Sequence, residues 1–416
     1  MRLCRVLFVL LLVSAFHLSM VQISSASFVI GGEDGWQFST DGNVNIFAAY
    51  ESGDDKPIFG AGTRRGGTIA DGQEGFRERV GFVPGWLAFN IKAPTWKDLD
   101  MGARISFCPT FDAKDVGKSK NSFGNQIDLR EIFFTLDGAF GQILAGKTLS
   151  LYQGGNILTD MTLSGYGAQG AIDGGGTPLG RIGYGYVYPQ FNAQIRYTTP
   201  NLNGFKLAFG LYDPSVIVGY DGVEARETTL PRIESELSYA GTFKGGSFKA
   251  WLSGMYQEAK FAKDSSFSGD VEAYGIAGGV QVVYGGFDLV LSGFDNQGVG
   301  SLLMLDYDSL DSEGKERDGQ GYIAQLMYGF DNIWGKTKLG ISIGANIMDE
   351  TSADKALRQA GSEVQIEEQR LTGFGIYHDV NAHLKLIAEY FYTENEWFDG
   401  KEQSTHLVGV GTFFTW

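Results

Sequence analysis

The sequence predicts an all-β chain closed into a 16-stranded antiparallel transmembrane β-barrel. Three observations carry this. Short runs alternate apolar and polar residues with a period of two. Short and long connections alternate between the runs, as they do when tight turns line one end of a barrel and long loops the other. Glycine is abundant, at 60 of 416 residues, while proline is scarce at 9; this suits tight turns and closely spaced strands rather than long helices or a Pro-rich disordered chain. A bilayer admits only helices and closed barrels. After the first 26 residues no stretch approaches the roughly 18 uninterrupted apolar residues of a helical span.

Residues 1–26 read as a cleaved signal peptide. Arg2 and Arg5 supply the positive start, Val6 to Phe16 the apolar stretch, and Ser24-Ser25-Ala26 a small-residue cleavage site. The stretch is shorter than the roughly 20 residues a membrane anchor needs. Cleavage before Ser27 removes Arg2 and Arg5, leaving 31 basic residues against 49 acidic ones and a net charge of −18. That balance excludes a nucleic-acid binder. Cys108 is then the one cysteine, so no internal disulfide holds an exported chain together. Residues 27–416 show no linker or composition break and form one domain.

The sixteen runs lie at about 36–50, 76–93, 101–110, 125–137, 140–150, 190–198, 204–212, 231–241, 247–257, 270–284, 287–295, 319–330, 336–347, 365–378, 383–393 and 404–416. Tight connections include Gly138-Ala139, Gly285-Gly286 and Asp379 to Ala382; long ones include 51–75, 151–189 and 296–318. Each run can be read face by face. In the third, Ala103, Ile105 and Phe107 oppose Arg104, Ser106 and Cys108. In the fifteenth, Leu386, Ala388 and Tyr390 oppose Lys385, Ile387 and Glu389. In the last, Val408, Val410, Phe414 and Trp416 oppose Leu407, Gly409 and Thr415. Charge alternating with apolar residues means lipid outside and water inside. The second run changes phase between Val80 and Leu87, which places a bulge at Pro84-Gly85. Glu131 falls on the outer face in this reading, at a protected subunit contact or at a slip of register.

Four stretches resemble the Gram-negative porin family: FRERVGF at 76–82, the hairpin at 127–150, the hairpin at 191–212, and 377–398 together with the aromatic-ended LVGVGTFFTW. The resemblance implies that the third long loop, about 151–189, folds into the barrel and narrows the pore. It implies a homotrimer in the bacterial outer membrane, in contact with lipid and lipopolysaccharide and inserted by the barrel-assembly machinery, with Phe414 and Trp416 as the assembly signal. Its acidic loop position, in a Thr-Asp-Met setting, maps to Asp160. Its wall arginines map to Arg79 and Arg130, and the arginine after the loop to Arg181. A second loop acid of the family is absent, with Ser164 near its place. Arg77 and Arg104 extend the basic wall by alternation, and Lys147 and Arg196 add charge on the loop's flanks.

Other motifs are weaker. Gly165-x-Gly167-x-x-Gly170 matches a dinucleotide pattern only as a string, because no helix can follow it. Asp306, Asp308 and Asp311 read as a solvated loop, since Leu310 stands where a calcium hand needs an acceptor. His378, His383 and His406 read as strand-end residues, and no Gly-x-Ser-x-Gly elbow accompanies them. The expected function is passive diffusion of small hydrophilic solutes and ions, with no enzyme activity, cofactor, metal or nucleic-acid partner. A substrate-selective channel with Tyr152, Tyr166, Tyr184, Tyr186 and Tyr188 along a track is the alternative; a barrel hydrolase would need the missing elbow.

Overall fold

The computed structural model describes residues 28–57, 74–110, 127–168 and 177–416. The expected signal peptide lies outside them. Sixteen wall strands are present among the described residues. They are β1 (Gln37–Gly53), β2 in two pieces (Glu74–Arg79 and Trp86–Lys92), β3 (Asp100–Pro109), β4 (Ile127–Gly138), β5 (Gly141–Leu149), β6 (Phe191–Thr198), β7 (Phe205–Tyr212) and β8 (Arg232–Phe243). They continue with β9 (Gly246–Phe261), β10 (Asp270–Tyr284), β11 (Phe287–Gln297), β12 (Asp318–Asn332), β13 (Gly335–Met348), β14 (Ile366–Asp379), β15 (Leu384–Trp397) and β16 (Glu402–Thr415). Each pairs antiparallel with the next. β16 pairs with β1 from Asn43↔Thr415 to Gly53↔Thr405, which closes the barrel and leaves the wall no free edge. No described helix is long and apolar enough to cross a membrane.

Alternation sets the two faces. Ile105 and Phe107 point out, while Arg104, Ser106 and Cys108 are buried on the inside. On β15, Leu386 and Tyr390 are exposed while Ile387, Glu389 and Phe391 are buried; on β16, Val408, Val410 and Phe414 are exposed while Leu407 and Phe413 are buried.

Of the two alternatives for Glu131, the slip of register is the one present. Glu131 does not face outward. Between Ser106 and Cys108 the β3–β4 register shifts, so Leu129 and Arg130 stand against the single residue Phe107. This bulge lets Arg130 and Glu131 both turn inward, and Glu131 Oε2 accepts from Arg104 Nε at 2.6 Å. The break in β2 comes where Pro84-Gly85 places it, but Phe82 turns into the lumen and packs with Ile157, Ile182 and Tyr186 of the long loop. Side chains of β1 satisfy the backbone freed by the break. Asn43 Nδ2 donates to the Pro84 carbonyl at 3.1 Å, Asn45 Nδ2 to that of Val83 at 3.0 Å, and Gly81 N–H to Asn45 Oδ1 at 2.6 Å.

More than one loop is packed. Loop 213–231 and loop 298–317 contribute Ile217, Val223, Ala225, Val299, Met304, Leu305 and Leu310 to a buried cluster with Tyr152 and Val187 of the long loop. The connection after β13 holds α1 (Ser352–Gln359), started by a reciprocal capping box between Thr351 and Asp354.

Candidate functional site

The long loop begins with a helical turn, Gly154–Leu158, and a 3₁₀ turn, Met161–Ser164. Its described parts lie against inward-facing residues around the barrel. Glu234 on β8 accepts Leu151 N–H at 2.8 Å and Tyr152 N–H at 2.9 Å, and its other oxygen takes Arg232 Nε at 2.9 Å. Glu389 on β15 accepts Tyr166 N–H at 2.7 Å, Gly167 N–H at 3.0 Å and the Tyr377 hydroxyl at 2.7 Å. Six strands lie between β8 and β15 one way round the wall of sixteen and eight the other, so two carboxyl groups hold the loop at nearly opposite points. Between them Gln325 on β12 accepts Met161 N–H at 2.8 Å, and Asn346 on β13 accepts Gly185 N–H at 2.7 Å. Phe82 N–H closes the span by donating to the Gly165 carbonyl at 2.9 Å.

Glycine is required at this clamp. A Cβ on Gly165 would lie 2.0 Å from Glu389 Oε1, and Gly167 (φ +82°) abuts Gly180. The first two glycines of the string that imitates a dinucleotide motif thus mark a close approach of loop to wall, and Gly170 lies outside the described residues.

Asp160 caps the 3₁₀ turn. It accepts Thr162 N–H at 2.9 Å, Thr162 Oγ1 at 2.8 Å and the Tyr186 hydroxyl at 2.7 Å. Burial pushes its carboxyl above the ordinary range; the Arg181 charge and these hydrogen bonds pull the other way. Burial pushes the Arg181 guanidinium down, against the charge of Asp160. Arg181 donates to the Tyr184 carbonyl at 3.1 and 3.3 Å and to Ser342 Oγ on β13. Both side chains act as anchors within a packed loop.

The wall cations are placed as follows. Arg77 and Arg79 stand opposite Ala49 and Phe47, on the inward row; Arg79 is buried and Arg77 half-buried. Arg104 lies between two carboxylates, 2.6 Å from Asp41 and 2.6 Å from Glu131, with Asn90 and Trp86 completing the group around Asp41. Arg130 pairs with Asp128 at 2.8 Å, reaches Thr177 of the loop at 3.2 Å and lies over the Phe191 ring. Arg196 faces inward between Ile195 and Tyr197, which point out. Lys147 is a correction. It stands opposite Ile132 and Ala193 on the outward row, because one residue along a strand changes the face. Trp416 exchanges backbone hydrogen bonds with Gly42 beside exposed Phe414.

Two further readings are corrected. Tyr152, Tyr166, Tyr184 and Tyr186 do not line an open track; they are buried against the wall. The acidic loop is not solvated. Asp308 accepts from Ser301 N–H and Oγ, and Asp311 Oδ1 accepts Glu313 and Lys315 N–H at 2.9 Å, both side chains buried. Among the described residues no group of three His, Cys, Asp or Glu is placed to hold a metal. Sequence reasoning missed Glu234, Gln325, Asn346 and Glu389 as loop anchors. Their inward parity was readable, but their partners are backbone groups of a remote loop.

The sequence profile of the Gram-negative porins matches residues 9–410. The chain belongs to the Gram-negative porin family. Solved structures agree in fold. The outer membrane channel DcaP of Acinetobacter baumannii superimposes with a TM-score of 0.66 at 18% identity, covering 94% of this chain and 100% of its own. An anion-selective porin from Comamonas acidovorans gives 0.60 at 13%, covering 92% and 100%. OmpT of Vibrio cholerae in a trimer form gives 0.52 at 13%, covering 92% and 100%. No curated protein sequence matches the chain. This porin is an outer-membrane diffusion channel.

Proposed function

We propose that the clamped loop sets the aperture of a passive channel for small hydrophilic solutes, that the channel does no chemistry, and that it assembles as a homotrimer. The observation that supports the aperture is the pair of carboxyl anchors, Glu234 and Glu389, on nearly opposite strands. Rate of liposome swelling with sugars of increasing size tests it. A cut-off set by sugar size supports the reading, and swelling that ignores size overturns it.

Charge preference is testable in dilute salt, where screening is weak. Asp160→Asn and Arg79→Ala/Arg130→Ala are compared with wild type by reversal potential under a salt gradient. The first shifts the permeability ratio toward anions, the second toward cations. Unchanged potentials in both place these charges outside the ion path.

Asp160 also gives the loop a pH dependence. Its folded value lies above the usual 3.8. Its contribution to docking is therefore fully present below 3.8 and is lost as pH rises through the folded value. Arg181, Tyr186, Tyr377 and Glu389 are the ionisable groups around it. Loop docking, read by protection from protease, is expected to tighten in mild acid, and Asp160→Asn to flatten that response. A parallel response in both proteins assigns the effect to another group.

Assembly has two tests. Crosslinking in mild detergent is expected to give a species near three times the chain mass; monomer alone overturns the trimer. Trp416→Ala, which alters the residue paired with Gly42 at the barrel seam, is expected to lower the yield of heat-modifiable barrel. An unchanged yield removes the assembly role.

A further inference from the structure

Arg196 and Glu236, one basic and one acidic, share the lumen face, and neither side chain makes a hydrogen bond or an ion pair among the described residues. Arg196 lies on β6 and Glu236 on β8, each half-buried, with Ile195, Tyr197 and Leu237 pointing out beside them. The strand between them, β7, is small at this point: Gly210 stands opposite Arg196, and Ala208 opposite Glu236. Two strand spacings of roughly 4.8 Å and a two-residue offset of about 6.8 Å put their Cα atoms about 12 Å apart. Arg196 Nε is buried without a partner. The neighbours do not fill this gap. Glu234, one inward position along β8, already holds Arg232 and the loop's first N–H groups. Lys206, one inward position along β7, stands opposite Ser238. Just above, Leu151 packs on Ala208 and Tyr212, so the pair lies beside the root of the constricting loop.

We propose that Arg196 and Glu236 form a docking rung for zwitterionic solutes of α-amino-acid size, the solute carboxylate on Arg196 and its ammonium on Glu236. The proposal rests on the channel reading. A simple anion satisfies one partner and meets repulsion from the other, and a simple cation does the reverse. A neutral polar solute offers neither charge-assisted hydrogen bond. A zwitterion supplies both with no net charge to bring into the lumen, and two half-satisfied charges in a partly dehydrated wall gain from it.

The test uses the purified porin in planar bilayers with L-alanine as probe. Lactamide is the neutral control, lactate the anion and alaninamide the cation. Alanine is expected to reduce ion current saturably, and lactamide not to. Loss of a single charged contact in Arg196→Gln or Glu236→Gln is expected to raise the half-saturating alanine concentration roughly tenfold. Alanine acting no better than lactamide on the wild-type channel overturns the proposal without any variant. So do variants that keep the wild-type half-saturation, or lactate or alaninamide blocking as well as alanine. A wild-type protein with no conductance in salt alone overturns the channel reading and this proposal together; normal conductance without alanine preference overturns this one alone.

Discussion

Glu389→Ala is expected to free the far end of the long loop and, with that loop setting the aperture as proposed, to give a larger, flickering single-channel current. The substitution removes the acceptor for Tyr166 N–H, Gly167 N–H and the Tyr377 hydroxyl together. Donors left unpaired cost about 1–3 kcal/mol each where water cannot replace the partner, so loss of all three weakens docking of this segment by roughly 3–9 kcal/mol. Glu389→Gln keeps an acceptor of the same shape and should fall between. The apolar cluster of Met161, Tyr166 and Tyr184 with Phe47, Leu371 and Phe391 remains, so the barrel itself should stay heat-modifiable. Wild-type current in both variants would show that this carboxyl does not hold the loop.

Asp354→Ala is expected to open the extracellular mouth while the wall stays intact. Asp354 pairs with Arg317, and both side chains are almost wholly buried. Arg317 lies 5.3 Å from the Tyr220 ring centre, so it joins loop 213–231, loop 298–317 and α1 at one point. Removing the acid leaves a buried cation unpaired, which costs about 3–5 kcal/mol. It also removes half of the box that starts α1. Protease should cut these three segments faster, with little change in the unfolding temperature of the barrel. Replacing Arg317 and Asp354 together with apolar residues should restore much of the protection, because the apolar pair leaves no charge unmet. If the single variant resists protease like wild type, the pair does not hold the mouth closed.

The wall was legible because a barrel repeats one local rule. Apolar-polar alternation in β3, β15 and β16 gave the face of each residue, and turn lengths gave strand number and direction. The second strand's break was legible for the same reason, since Pro84-Gly85 cannot pair. What failed was whatever depended on a single extra residue or on distant pairing. The bulge at Leu129 and Arg130 turned Glu131 inward, and parity carried Lys147 outward. The loops are less legible, because a polar loop sequence does not say that Asp308 and Asp311 will bond loop backbone and be buried. Tyr152 and Tyr186 suggested a solute track, yet an aromatic side chain offers the same apolar surface to the wall as to a sugar.

Glu389 lies on the next-to-last strand, more than two hundred residues after the loop that it holds, and the strand that completes the barrel is the last one, pairing with the first. Contacts of such sequence separation form slowly, since the whole intervening chain must be ordered before either is rewarded. Through most of strand formation the loop has its root anchor on β8 and nothing to receive its far end. Docking of the loop and closure of the wall are therefore expected to be late and coupled. A nascent chain stalled before β15 would present an open sheet with two unpaired edges and a loop lacking its anchor at Tyr166 and Gly167, the species most in need of a chaperone.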